Sequence, residues 1–125
     1  MYTRKLEKDI RCPLEYALDV FGGKWKSRII CILAQEQTVR YSELRKKLSN
    51  ITDTMLASSL KELQSDGMVM RVQYNEIPPK VEYSLTQKGC SVIPILIRIS
   101  EWGRENEEKG MHGVCLECPG DYIRR

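Results

Sequence analysis

Residues Ile51 to Gly67 read ITDTMLASSLKELQSDG. Leu56, Leu60 and Leu63 recur at i, i+4 and i+7, so they line one stripe of a 3.6-residue helix. Thr54, Ser58, Lys61 and Ser65 fall on the opposite side, a short polar face rich in hydroxyls. Thr52 is placed to be the N-cap, because its hydroxyl can accept from a free backbone N–H of the first turn. Gly67 supplies a left-handed stop. Just upstream, SELRKKL (Ser42 to Leu48) reads as a shorter helix capped by Ser42, joined on through Ser49, Asn50 and Ile51. Two helices joined that tightly suggest a helix-turn-helix, with the second helix offered to a DNA major groove. An ordinary amphipathic helix with a wet polar face has the same pattern, so the flanking sequence decides.

Downstream of Gly67 the period changes. MVMRVQY (Met68 to Tyr74) and VEYSL (Val81 to Leu85) alternate apolar and polar residues, as half-buried strands do. Between them lies NEIPPK, Asn75 to Lys80. Its two prolines do not fit a paired central strand, but they stiffen an exposed hairpin tip. Helix, strand, protruding loop, strand is the layout of a winged helix-turn-helix. The wing lets a second element reach the DNA backbone or minor groove.

Upstream, Ile10, Leu14, Ala17, Leu18 and Phe21 mark an amphipathic helix with Pro13 in its first turn, ended by Gly22-Gly23. In KWKSRIICILAQ, Trp25, Ile29, Ile32 and Leu33 keep helical spacing while Lys24, Lys26 and Arg28 are expected to stay wet. Thr38 to Tyr41 is short and β-prone, which predicts one small strand. From Thr86 to about Lys109 a last helical segment is apolar nearly all round, through Val92, Ile93, Ile95, Leu96, Ile97, Ile99 and Trp102. A surface helix of a monomer shows one stripe. An all-round helix needs two partners, its own domain and a second subunit. Pro94 lies too deep for that segment's first turn and predicts a kink or break. The expected architecture is mainly α with a small β-hairpin wing over residues 1–110, followed by an aperiodic tail, 111–125.

A length of 125 residues suits one domain with a modest core, which dimerisation would enlarge. No apolar run approaches a membrane span. The charged N-terminus, MYTRKLEKDI, lacks the apolar region of a signal peptide, so a cytoplasmic protein without a membrane partner is expected. A net charge of +3 permits nucleic-acid binding without arguing for it. Five cysteines, an odd number, do not read as a disulfide framework. Cys31 and Cys90, inside apolar helical patterns, read as buried small hydrophobes.

The ordered set CPLEYALDVFGGKWKSRII, RYSELRKKL, ITDTMLASSLKELQSDGMV, PPKVEYSLTQKG and the helix carrying Trp102-Gly103 resembles the HxlR family of bacterial winged-helix transcription regulators, relatives of the MarR-type repressors. The likeness covers roughly Cys12 to Gly110. It implies a homodimeric DNA-binding regulator whose first and last helices form the dimer contact. It also implies that some relatives answer oxidants or electrophiles through the cysteine of an N-terminal Cys-Pro pair, here Cys12-Pro13. Family members often carry long polar side chains where this chain has Ser58 and Ser59, whose short hydroxyls reach only groove edges or phosphates.

Binding double-stranded DNA needs a groove-sized element, flanking positive charge and a symmetric partner. Thr52, Thr54, Met55, Ser58, Ser59 and Lys61 are the candidate contacts of the groove element, with Ser42 ahead of them. Lys46, Lys47, Lys61, Arg71 and Lys80 are the candidate flanking cations, and phosphate contacts of this kind make affinity fall steeply with salt. A two-fold dimer reads an inverted repeat, with half-sites about 10 bp apart centre to centre.

Cys12, just before Pro13, belongs at the N-cap of the first helix, where partial positive charge favours a thiolate. Arg11 and Lys8 add to that charge and Asp9 opposes it. A thiolate reacts with peroxides, disulfides and electrophiles where a thiol does not; packing without reaction at a dimer seam is the alternative. In the tail, His112, Cys115 and Cys118 form H-x-x-C-x-x-C. That spacing suits zinc, with Cys12 as a fourth ligand, or a disulfide that resolves an oxidised Cys12, or nothing beyond two reduced thiols. No cofactor or metal is assigned. A small thiol oxidoreductase using Cys115 and Cys118 is the competing function. Against it, the pair lies in an aperiodic tail, and no glycine-rich phosphate loop or paired acid–base set accompanies it. A winged module used only for protein contact is a third reading.

Overall fold

A computed structural model of the chain describes residues 8–107. The elements run α1 (Pro13–Phe21), α2 (Lys24–Glu36), β1 (Val39–Arg40), α3 (Tyr41–Lys47), α4 (Asp53–Ser65), β2 (Val69–Tyr74), β3 (Lys80–Leu85), α5 (Gln87–Ser91) and α6 (Ile93–Asn106). The mainly helical chain with a small hairpin matches the expected fold class.

The core forms around α2. Ile29, Ile30, Ile32 and Leu33 of that helix are buried, and Leu44, Leu48, Leu56, Leu60 and Leu63 of the helix-turn-helix close on it. Truncating one of these leucines to alanine costs about 2–5 kcal/mol, because the lost transfer energy and the cavity add. Lys26 does not stay wet as expected. Its ammonium lies 2.9 Å from Glu62 Oε1 and donates to the Asp19 carbonyl at 3.0 Å. Its side chain is only 12% exposed, so the pair ties α1 and α2 to α4 in partly desolvated surroundings.

The sheet has three strands in the order β1-β3-β2. β3 pairs antiparallel with β2 from Val69–Leu85 to Tyr74–Lys80, and with β1 at Val39–Tyr83. The short strand expected near Val39 therefore gains its partner from the far side of the chain. Only Val69 of β2 is buried; the apolar positions Met70, Val72 and Tyr74 stand exposed, so the alternation does not signal burial there.

The last segment is two helices, not one. α5 ends at Ser91, and α6 begins at Ile93 with Pro94 in its first turn, where a missing N–H is harmless. The proline marks a break, as its depth in the segment predicts. Val92, between the two helices, and Leu96 of α6 are buried in the core, while Ile95, Ile99 and Trp102 stay exposed at i, i+4 and i+7. On α1, Leu14 and Leu18 are likewise exposed, at 66% and 51%. No described helix is long and apolar enough to cross a membrane.

Candidate nucleic-acid interface

β1 feeds directly into α3. Arg40, still extended at φ −81 and ψ 155, is the N-cap, and its N–H donates to Glu43 Oε1 at 3.2 Å. Ser42 is therefore not the cap: it already lies inside the first turn, exposed, because strand pairing carries the extended conformation up to Arg40. Leu44 and Leu48 anchor the helix in the core, and the chain turns at Asn50, whose φ of +71 suits asparagine better than most residues. Ile51 is buried and fixes the turn against the core.

α4 starts as its sequence predicts. Thr52 is extended, and its Oγ1 accepts from the Met55 N–H at 3.1 Å. At the other end, Met68 N–H donates to the Leu63 carbonyl at 2.9 Å and Gly67 N–H to that of Gln64 at 3.0 Å, with Gly67 at φ +74. This paired pattern is a Schellman stop, and a residue with a Cβ would be strained at Gly67. The Thr86 hydroxyl also donates to the Gly67 carbonyl at 2.5 Å, and the Thr86 N–H to that of Met68 at 3.0 Å, which clips the helix exit to the start of α5.

Three residues outside the expected site fix the angle between α3 and α4. Arg45 Nε donates to Asp53 Oδ1 at 2.8 Å, and Tyr41 OH donates to the same oxygen at 3.3 Å. The hydrogen bond and charge of Arg45 hold the Asp53 carboxyl below its ordinary range. Partial burial, then the Asp53 charge, push the Tyr41 phenol up. Asp53 also sits in the first turn of α4, where a negative charge meets the positive end of the helix dipole. The signal available in the sequence was an acidic residue directly after a threonine cap.

Of the expected groove contacts, Thr52, Thr54, Met55 and Lys61 are exposed and Ser58 is half-buried. Ser59 is not part of this face. It is 5% exposed and lies on the same stripe as Leu56, Leu60 and Leu63, three residues past the first and four before the last. The helical period places it inward, which corrects its reading as a DNA contact.

Among the expected cations, Lys46 is exposed beside the turn, and Lys47 is exposed with its ammonium 3.1 Å from Glu36 Oε1. Arg71 is exposed and donates to Gln73 Oε1 at 3.3 Å. Lys80 opens β3; its ammonium lies 3.8 Å from Glu82 Oε2 and 4.5 Å above the Tyr74 ring. A hydrogen bond to Glu82 and its charge push the Tyr74 phenol up. The hairpin tip between them carries a fully exposed Ile77 and a cis Ile77–Pro78 bond.

Cys12 occupies the N-cap of α1, exposed and extended at φ −154. Arg11 is paired with Asp9 at 3.0 Å and Lys8 with Asp19, so both neighbouring cations already have carboxylate partners. Cys31 is buried as expected. Cys90 is not: it is exposed, because α5 is a short separate helix and its core-facing residue is Gly89. His112, Cys115 and Cys118 lie outside the described residues. Among the described residues, no group of three or more His, Cys, Asp or Glu side chains could hold a metal.

The model of the HxlR-like helix-turn-helix family matches residues 20–111. An HTH-type transcriptional regulator of Halalkalibacterium halodurans is 45% identical over 106 residues, covering 85% of this chain and 94% of that protein. The solved redox regulator HypR is 42% identical in its reduced form, with a TM-score of 0.73 over 78% of this chain and 95% of HypR. The oxidised form gives 43% identity and a TM-score of 0.71, covering 78% of this chain and 99% of HypR. The reduced transcriptional regulator YodB of Bacillus subtilis is 32% identical, with a TM-score of 0.71 over 81% of this chain and 99% of that one.

Proposed function

The chain belongs to the HxlR-like helix-turn-helix family of transcription regulators, and on that premise we propose that it acts as a cytoplasmic homodimer whose two α4 helices read an inverted repeat in double-stranded DNA. The observation that carries the dimer is the pair of uncovered apolar stripes, Leu14 and Leu18 on α1 and Ile95, Ile99 and Trp102 on α6. Large apolar side chains grouped this way mark an interaction surface. A second copy that brings the same stripes buries them and sets two α4 helices on one side of the assembly, as a two-fold site in DNA requires.

In this reading the winged unit takes residues 1–110, and 111–125 form a cysteine-bearing tail. Thr54, Met55 and Ser58 face the major groove, and Lys46, Lys47, Lys61, Arg71 and Lys80 meet phosphates. Lys80 does so by exchanging Glu82 for a phosphate oxygen. The regulator is thiol-gated: an oxidant takes two electrons from the Cys12 thiol and a second thiol, two protons leave, and one S–S bond forms. A covalent link at the dimer seam changes the spacing of the α4 helices, so both half-sites can no longer be engaged together. The likeness to HypR, a redox regulator, supports this reading over an enzyme built on Cys115 and Cys118. A gel shift with the DNA flanking its own gene, run across a salt series, tests the whole. Specific binding that weakens steeply with salt is expected; disulfide turnover with no DNA binding would point to the enzyme instead.

A further inference from the structure

We infer that the first turn of α4 recognises thymine by its 5-methyl group, through the γ-methyl of Thr54 and the thioether side chain of Met55. The inference rests on the DNA reading above and adds which chemical feature of the duplex is read.

Exposed carbon on the first turn of α4 carries it. Thr52 Oγ1 is committed to the helix, accepting from the Met55 N–H at 3.1 Å. Asp53 Oδ1 is engaged by Arg45 at 2.8 Å and by Tyr41 at 3.3 Å, which ties this carboxylate oxygen to α3. Ser59 is buried. Ser58, one turn further on, is both donor and acceptor and so pairs with several bases alike. Lys61 is a point charge on a flexible stem, suited to phosphate. Beside the Thr54 hydroxyl, the leading turn carries exposed carbon: Thr54 is exposed with its γ-methyl, and the Met55 side chain is 43% exposed although apolar. In the major groove the thymine methyl is the apolar mark, and apolar side chains meet it there. An unbranched thioether adapts its shape to such a contact.

The test removes the methyl from each side in turn. The full-length protein selects duplexes from a random-sequence pool, and each thymine of a selected duplex is then replaced by deoxyuridine, which keeps base pairing and deletes the methyl. Thr54→Ser deletes the matching methyl of the protein and keeps the hydroxyl; Met55→Ala deletes the thioether. The parent is expected to lose about fourfold in affinity at one or two thymines per half-site, roughly 0.8 kcal/mol at 1.4 kcal/mol per tenfold. At those thymines the penalty is expected to vanish in Thr54→Ser or in Met55→Ala and to persist in the other variant. A parent that binds its duplex but is indifferent to every deoxyuridine overturns the inference alone, as does a penalty unchanged in both variants. A parent that selects no duplex overturns the DNA reading, and this inference with it.

Discussion

Arg45 and Asp53 sit on different helices of the helix-turn-helix, and the guanidinium Nε of the first donates to the carboxylate of the second at 2.8 Å. The contact joins the last turn of α3 to the first turn of α4, so it sets how α4 leaves the turn. It also sets a titration. The folded Asp53 carboxyl lies below its ordinary value of 3.8. A depressed acid contributes stability that is present above that unfolded value and is lost as pH falls through the lower folded one. Tyr41 works in the opposite sense. Its folded phenol lies above 10.0, so its contribution is present below 10.0 and is lost as pH rises through the folded value. Arg45→Ala is expected to return Asp53 to the ordinary carboxylate range, read by carbon-detected NMR titration, and to weaken DNA binding. An Asp53 titration that does not move would show that Arg45 is not its partner in solution.

Ser58 and Ser59 are neighbours with opposite surroundings, one half-buried on the outer flank and the other 5% exposed. Ser59→Glu places an unpaired charge in the core and is expected to cost about 3 kcal/mol or more of stability. Ser58→Glu is expected to leave the melting temperature within a few degrees of the parent, a change of about 0.5 kcal/mol or less, and to weaken DNA binding by repulsion from phosphate. Thermal melts and gel shifts on the two variants separate these effects. Equal destabilisation by both would mean that the outward face of α4 is misplaced.

The stripe at Ile95, Ile99 and Trp102 is apolar and uncovered in one protomer, with Trp102 at 68% exposure. Leu18→Asp combined with Trp102→Ala is expected to give a folded monomer by sedimentation and circular dichroism. Its DNA affinity should fall about a hundredfold or more, since the second half-site loses its tether. A double variant that still sediments as the parent does would move the interface elsewhere.

Two exposed thiols lie in the described part of the chain, Cys12 at the α1 N-cap and Cys90 on α5. Cys12→Ser is expected to make DNA binding insensitive to diamide, while Cys90→Ser keeps the parent's sensitivity. The converse pattern would place the sensor on α5.

Features set by a few consecutive residues were legible in the sequence. The Thr52 cap, the Gly67 stop and the break near Pro94 each depend on hydrogen bonds within one turn of the chain. Ser59 was legible too, since its spacing from Leu56 and Leu63 places it on the buried stripe; residue type outweighed position in that reading. Other features depend on partners far along the chain. Ser42 lost the cap because β3 pairs with β1 and holds Arg40 extended. Lys26 lost its water because Glu62 packs beside it. The Arg45–Asp53–Tyr41 cluster exists only once two helices cross; the local pattern marks Asp53, directly after a threonine cap, but not its two partners.

The central claim is that two α4 helices, one from each protomer, engage a single duplex. Hydroxyl-radical footprinting of the bound operator, with stoichiometry measured by sedimentation on the same duplex, tests it most directly. Two protomers per duplex are expected, with two protected patches about 10–10.5 bp apart centre to centre and related by a dyad. One protomer on the duplex with a single protected patch would contradict it.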